Sequence, residues 1–427
     1  MQLTIKNQIL WQLLSIYAAT LGFLRKTKIR SQIDASALFL PPSDPGSVGD
    51  EAMLAASMEY LAAQGVKRIG IITLQPTARW ENLKLVTETV NIKGFFTRGC
   101  WWERFRFVNK VSRYERFYCL GADVMDGFYS DNVTLLRLHL VALAAKTGAD
   151  SAILGFSFNH QPTDTAVQSL SQLPANVRLC CRDPISHQRV KQCVQHPVEL
   201  VADLAFMLQP AEDSDLAVSV SRWVRAQKAQ GRIVLGINAN ALHLTKVTRL
   251  NRNEFIQFYA NAFINLFSSN QISLLMIPHD FRGDDSDVSI AQAILEAMPA
   301  AIKPYCMQVP TPCSAAEIKS ICAELDLVLT GRMHLAIACL GQGIPVGGVT
   351  YQGKFEGLFH HFELPGMTIE PEKAFQPGVL THFITDLLAK REDIRQQILC
   401  HLANVKALSR FNFERQLENA LADPVLR

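Results

Sequence analysis

Hydrophobic positions along this chain follow two alternating rhythms. From Ala35 onward, short apolar runs of strand length (SALFLPP, RIGIITL, FYCLGADVM, SAILGF) alternate with longer segments whose apolar residues recur three and four apart (EAMLAASMEYLAAQG, LLRLHLVALAAKTG). Strands alternating with helices predict βαβ units and a parallel sheet. The stretch NVRLCCRDPISHQRVKQC predicts a strand, a turn at Asp183-Pro184 and a further helix.

A polar segment around Ala211 to Asp215 (AEDSD) interrupts the alternation, and the helical SVSRWVRAQKAQ then leads into a new strand, RIVLGINAN. The second half repeats the rhythm with ISLLMIPHD, a helix from Val288 to Met298, LDLVLTG, MHLAIACLGQG and IPVGGVTY, and is helical again from about Gln376. The pattern predicts an N-terminal amphipathic helix within 1–30 and a Rossmann-like domain over 31–212. A second such domain follows over 228–375, with helices over 376–427 packing back on the first. Two Rossmann-like domains would face each other across a cleft, with ligands beyond the carboxyl ends of the strands.

The N-terminal run Ile9 to Leu24 is interrupted by Gln12, Ser15 and Thr20. It is shorter than the roughly 20 apolar residues a spanning helix needs. Its basic residues Arg25, Lys26, Lys28 and Arg30 follow the apolar run, whereas a signal peptide carries them in front. Two readings remain: a helix packed on the domain, or an amphipathic helix lying on a membrane surface.

Composition narrows the class. A chain of 427 residues predicts more than one core, and 48% hydrophobic with 19% charged residues argues against extensive disorder. A net charge of +3 gives no basis for nucleic-acid binding. The ten cysteines include no CxxC pair, which removes the usual zinc and thioredoxin-like readings. Reduced thiols then place the expected location in the cytoplasm, with peripheral contact at the inner face of the membrane as the extension of the second helix reading.

Two segments carry candidate chemistry. PPSDPGSVGDEAM, residues 41 to 53, follows a strand and opens a helix. Gly46 and Gly49 permit close backbone approach, Ser47 with Asp50 reads as a capping pair, and the loop offers backbone N–H groups with the carboxylates of Asp50 and Glu51. The plainer reading is a turn and a helix cap. From Leu325 to Phe359, the strand Leu327 to Thr330 delivers Arg332 and His334 to a helix N-terminus, which favours anions. The following strand brings Tyr351 and Lys354 to the same rim. The competing reading pairs Arg332 with Asp326 and leaves His334 as a helix cap. His279 ends a strand, and two readings remain for it: a group reaching the cleft, or a structural histidine. Asp284, Asp285 and Asp287 read as an acidic loop before a helix rather than a metal site. Lys93 to Tyr118 interleaves seven Lys or Arg with aromatic residues, either as a glycan or lipid-linked acceptor surface or as a partly buried helix with a solvated face.

Taken in order, these residues resemble the polysaccharide pyruvyl transferase family. An early G-x-x-G-D-E-A loop is matched by Gly46 to Ala52. A late D-x-V-x-x-x-R-x-H, then G-I-P-V and an aromatic-x-x-K, are matched by Asp326, Val328, Arg332 and His334, Gly343 to Val346, and Tyr351 with Lys354. Arg182 to Ser186 matches the R-D-x-x-S turn, and Asp203 with Phe206 the downstream D-x-x-F. The chain departs from the family at Asp126 to Asp131, where glycines are usual, and at GFSFNHQP, where a Gly-Pro pair is common. Both departures lie in the first domain and bear on the acceptor.

The resemblance implies a GT-B-like fold and transfer of a pyruvyl group from phosphoenolpyruvate to a sugar of a polysaccharide or lipid-linked glycan, forming a ketal. Phosphoenolpyruvate is then the donor substrate, with no separate cofactor and no metal. Arg332 suits its carboxylate or phosphate through a planar fork, and the helix N-terminus at Met333-His334 suits the second anion. His334 is the leading acid–base group, with Asp50, Glu51 and His279 behind it. Arg182 is a further anion contact and Lys354 a weaker one. A nucleotide-sugar glycosyltransferase of the same fold is the alternative, followed by a non-catalytic family member.

Overall fold

The computed structural model describes residues 5–27, 35–75, 77–96, 100–240, 250–350 and 354–414. The first sheet contains β1 Ser36–Leu40, β2 Arg68–Thr73, β3 Glu88–Asn91, β4 Arg116–Ala122, β5 Asp150–Phe156, β6 Arg178–Cys181 and β7 Val198–Leu200, in the order β3-β2-β1-β4-β5-β6-β7. The second contains β8 Ile233–Asn238, β9 Ile272–Met276, β10 Cys306–Gln308, β11 Leu327–Thr330, β12 Val346–Val349 and β13 Thr368–Ile369, ordered β10-β9-β8-β11-β12-β13. Every pairing of these strands is parallel. Helices cover both faces of such sheets, so central strands such as SALFL and ISLLM are apolar throughout rather than alternating.

The strand order reverses between β1 and β4 in one sheet and between β8 and β11 in the other. At each reversal the loops leave in opposite directions and open a crevice. The helix Val48–Ala63 packs on the first sheet and meets the second-domain helices Ala315–Cys322 and Met333–Leu340. One apolar cluster therefore runs through both domains, including Met53, Leu61, Ile318 and Leu335.

Two domain limits differ from the pattern-based ones. The helix Asp215–Lys228 buries Val220 and Val224 and packs on the helix Ala315–Cys322 and on β8, so the second unit begins before 228. At the other end, the helix Val379–Ala389 packs on the helix Arg252–Ser269, within the second domain. Among the described residues beyond it, the helix Arg391–Arg410 and residues 411–414 return to the first. There Ser409 Oγ donates to the Asp203 carbonyl at 2.6 Å, and Asn412 accepts from Gly155 N at 3.0 Å.

The N-terminal helix Ile5–Thr27 lies against the helices Trp101–Val111 and Asp131–Lys146, with Leu14 and Ala18 fully buried. Gly22 is required at this seam, because a Cβ there would overlap the Lys146 carbonyl.

Candidate active site

The loop leaving β1 turns at Gly46, whose φ of +118° favours glycine. Ser47 caps the next helix, its Oγ accepting from Asp50 N at 3.3 Å. The loop also binds the second domain. Phe281 N donates to the Gly46 carbonyl at 3.0 Å, and Val48 N to the His279 carbonyl at 3.2 Å. One amide expected to await a ligand is thus already engaged, and Gly46 serves the domain junction. Ser43 Oγ donates to the Asp50 carboxyl and accepts from Arg282 Nη1 of the other domain at 3.0 Å. Burial pushes the Asp50 carboxyl up, against the lowering effects of Ser43, His334 and Arg282.

Glu51, expected beside Asp50 in the chemistry, faces elsewhere. Its carboxylate accepts from Ala315 N and from Asn82 Nδ2, each at 2.9 Å. Successive helical positions point about 100° apart, so only one of two adjacent acids can face the crevice. Glu51 ties the first domain to the start of a second-domain helix.

In the second domain, Thr330 Oγ1 accepts from Arg332 N at 2.9 Å as the chain turns out of β11. Arg332 does not pair with Asp326, which instead accepts from Val234 N and Lys228. Its Nε and Nη2 bind Asp287 at 3.2 and 2.7 Å, and Nη1 reaches Asp280 at 3.2 Å. The planar fork expected to be open to an anion is therefore braced from behind, leaving two of its five N–H groups. Asp287 is no member of a solvated acidic loop: it is buried and also accepts from Asn238 Nδ2 and His279 N. Asp285 goes outward to Arg252 instead.

His279 is buried, and neither ring nitrogen has a partner among the described residues. Burial, reinforced by His334 and Arg332, lowers its pKa to about 3, so the imidazole is neutral at physiological pH. Arg182, at the end of β6, donates from Nε to Ser157 Oγ at 2.7 Å and from Nη1 to Asp203 at 2.8 Å. His334 Nε2 lies 3.5 Å from that Nη1 and 3.6 Å from Asp203 Oδ2. Burial alone would raise the Asp203 carboxyl, but His334 and Arg182 hold it below the usual carboxylate range.

These groups surround one cavity of about 390 Å³. Its wall takes Pro42 and Ser43 from the end of β1, Ala122 and Asp123 from β4, Asn240 from beyond β8, and Gly331 and Arg332 from beyond β11. The cavity thus occupies both strand-order reversals at once. Gly49, Asp50, Arg182, His279, Arg332 and His334 share it, whereas Gly46 and Glu51 do not line it. Tyr351 lies outside the described residues. Lys354 begins the helix Lys354–His360, and its neighbour Phe355 lines the cavity with Thr350.

A family model described as polysaccharide pyruvyl transferase matches residues 48–353. The chain belongs to that family. No curated protein matches its sequence. Among solved structures, Anabaena Alr3699/HepE in complex with UDP-glucose is similar at 13% identity, covering 89% of this chain and 95% of that one, with a TM-score of 0.50. The N-terminal domain of Candida albicans trehalose-6-phosphate phosphatase is similar at 10% identity, 90% and 96% coverage and a TM-score of 0.51. The glycotransferase of kitacinnamycin is similar at 12% identity, 90% and 100% coverage and a TM-score of 0.50. At such identities the likeness concerns the fold, two parallel-sheet domains in the GT-B manner.

Within this pyruvyl transferase family member, Ser43, Asn240, Asp280 and Arg282 are site residues that sequence reasoning missed. Asp280 and Arg282 directly follow the strand-end histidine, and that adjacency was the available signal. Arg282 pairs with Asp280 at 2.6 Å and packs over Gly46. Ala122 also lines the cavity, and its φ of +43°, which no sequence pattern announces, is unusual for a residue with a side chain; such strain gathers at functional sites. Part of the basic–aromatic stretch from Lys93 to Tyr118 is structural, while Trp102 within it stays exposed. Arg104 is buried with its guanidinium 4.2 Å from the Trp101 ring and 4.8 Å from that of Trp11, while Phe107 and Tyr114 are core residues. Where the family's glycines are replaced, Tyr129 lines the cavity and donates to Asp123 at 2.8 Å.

Proposed function

We propose that this protein transfers a pyruvyl group from phosphoenolpyruvate to two hydroxyls of one sugar in a polysaccharide or lipid-linked glycan. The observation that carries the reading is the gathering of Arg182, Arg282, Arg332 and His334 on one cavity, each guanidinium braced by a carboxylate behind it. Paired cations can stay buried without ligand, and their remaining N–H groups suit a small, multiply charged anion.

In this reading the donor carboxylate and phosphate meet Arg332, Arg182 and the N-terminus of the helix Met333–Leu340, which no side chain caps. A proton passes to the donor methylene, one sugar hydroxyl bonds to the adjacent carbon, and phosphate leaves. The second hydroxyl closes the ketal. The two hydroxyl protons balance the reaction, one ending on the new methyl group and one on phosphate. His334 moves these protons, and Asp50, its carboxyl raised by burial, is the second acid–base group. Tyr129, at the cavity wall, faces the acceptor.

A thermal-shift comparison of phosphoenolpyruvate, inorganic phosphate and UDP-glucose tests the donor. Stabilisation by phosphoenolpyruvate beyond that by phosphate supports the proposal. Stabilisation by UDP-glucose alone would instead favour a nucleotide-sugar glycosyltransferase.

A further inference from the structure

The N-terminal helix Ile5–Thr27 is apolar on two opposite sides, and only one is covered. Leu14 and Ala18 are fully buried against the first domain, with Trp11 packed edge-on to Trp101 at 5.3 Å. On the other side Ile9, Leu13, Ile16, Thr20 and Phe23 follow one another at spacings of three and four, which draws one stripe along a helix. Ile16 is 63% and Phe23 68% exposed, and Leu24 stands beside them. Trp102, one residue from the ring that holds Trp11, is 74% exposed. Half of the large hydrophobic side chains exposed among the described residues therefore lie on this helix or at Trp102. A sequence under pressure only for folding has no need of this second face.

Charge identifies the occupant. The sequence from Met1 to Arg30 contains Lys6, Arg25, Lys26, Lys28 and Arg30 and no acidic residue; of these, Arg25 turns to the domain and donates to the Tyr114 carbonyl at 2.7 Å. The acid next to Trp102, Glu103, is paired with Arg106. Among the described residues no helix is long and apolar enough to cross a membrane. An exposed apolar stripe on a helix too interrupted by polar residues to span, within a sequence segment that is basic and free of acids, suits a helix lying in the headgroup region of an anionic bilayer. We propose that this face docks the protein on an anionic lipid surface, Ile9, Leu13, Ile16, Phe23 and Trp102 entering the acyl boundary while Leu14 and Ala18 keep the helix on the domain. The proposal is independent of the donor identity and goes beyond the reaction itself.

Deleting the helix would uncover core residues, so the test changes only its outer stripe. The full chain and a Leu13→Ser/Ile16→Ser/Phe23→Ser variant are sedimented with phosphatidylcholine vesicles with and without roughly 30 mol % phosphatidylglycerol. The unaltered protein should partition onto the anionic vesicles and far less onto neutral ones. The variant should lose about tenfold or more of that binding, with its circular dichroism and thermal midpoint retained. Absence of vesicle binding by the unaltered protein overturns the proposal, as does binding that the variant keeps. A dimer that the variant dissolves, without vesicle binding, would assign the stripe to a second copy of the chain and overturn it equally. If the variant loses its fold, Phe23→Ser alone, at the most exposed of the large apolar side chains of the helix, replaces it under the same criteria.

Discussion

Gly49 lies directly beneath the imidazole of His334, across the junction of the two domains. A Cβ at Gly49 would stand 2.8 Å from the His334 Cβ and closer still to the ring, so the histidine occupies space that only glycine leaves. Gly49 has ordinary helical surroundings and no left-handed φ, which makes its requirement one of approach rather than of backbone conformation. The glycine loop of one domain and the arginine–histidine segment of the other are therefore a single fitted unit.

Gly49→Ala should consequently disturb His334 without disturbing the helix, in which alanine is the better residue. Turnover should fall roughly 10²-fold, in line with displacement of a general acid–base group, while far-ultraviolet circular dichroism is retained. Full activity in Gly49→Ala would show that the close approach has no catalytic consequence.

Arg332→Lys and His334→Ala should separate binding from proton transfer. Lysine keeps the charge but cannot reproduce the two-pronged contact with Asp287, so donor affinity should weaken by about 1–3 kcal/mol. His334→Ala should lower turnover about 10²-fold or more with little change in donor affinity. Calorimetric titration of phosphoenolpyruvate together with acceptor-dependent phosphate release measures the two effects. Equal affinity losses in both variants would reduce His334 to an anion contact.

Glu51→Ala tests the assignment of that carboxylate to the domain junction. Losing its bonds to Ala315 N and Asn82 should cost about 1–3 kcal/mol of stability, while turnover of the folded enzyme stays within a few-fold. A turnover loss as large as that of His334→Ala would return Glu51 to the chemistry.

Lys319 supplies a pH signature. Its Nζ donates to the carbonyls of Ala205 and Phe206, each at 3.1 Å, where the chain passes between domains. Burial, aided by Lys406, lowers its pKa from 10.5 to about 7. Between those values the unfolded chain holds more protons than the folded one, so this group makes stability rise with pH. The thermal midpoint of the unaltered protein, relative to Lys319→Met, should therefore increase from neutral toward alkaline pH. Parallel pH profiles for the two proteins would refute a strongly depressed lysine.

The sequence by itself determined the parallel α/β domains, because strands buried on both faces must be apolar runs and their crossovers must carry helical periodicity. It also placed Arg332 and His334 at a strand end and a helix start, where local geometry alone brings them to the carboxyl edge of the sheet. Which face of the opening helix turned inward was not legible at Asp50-Glu51, since both acids follow the same capping residue. The partners of Arg332 were equally hidden: Asp326 is near in sequence, but Asp280 comes from the loop after β9 and Asp287 from the helix start that follows it, within reach of Arg332 across the intervening β8. Arg282 meets Ser43, and His334 meets Gly49, through the packing of one domain on the other. Contacts of that kind depend on how two sheets are brought together, a property of the buried surface as a whole, and no local pattern of residues encodes it.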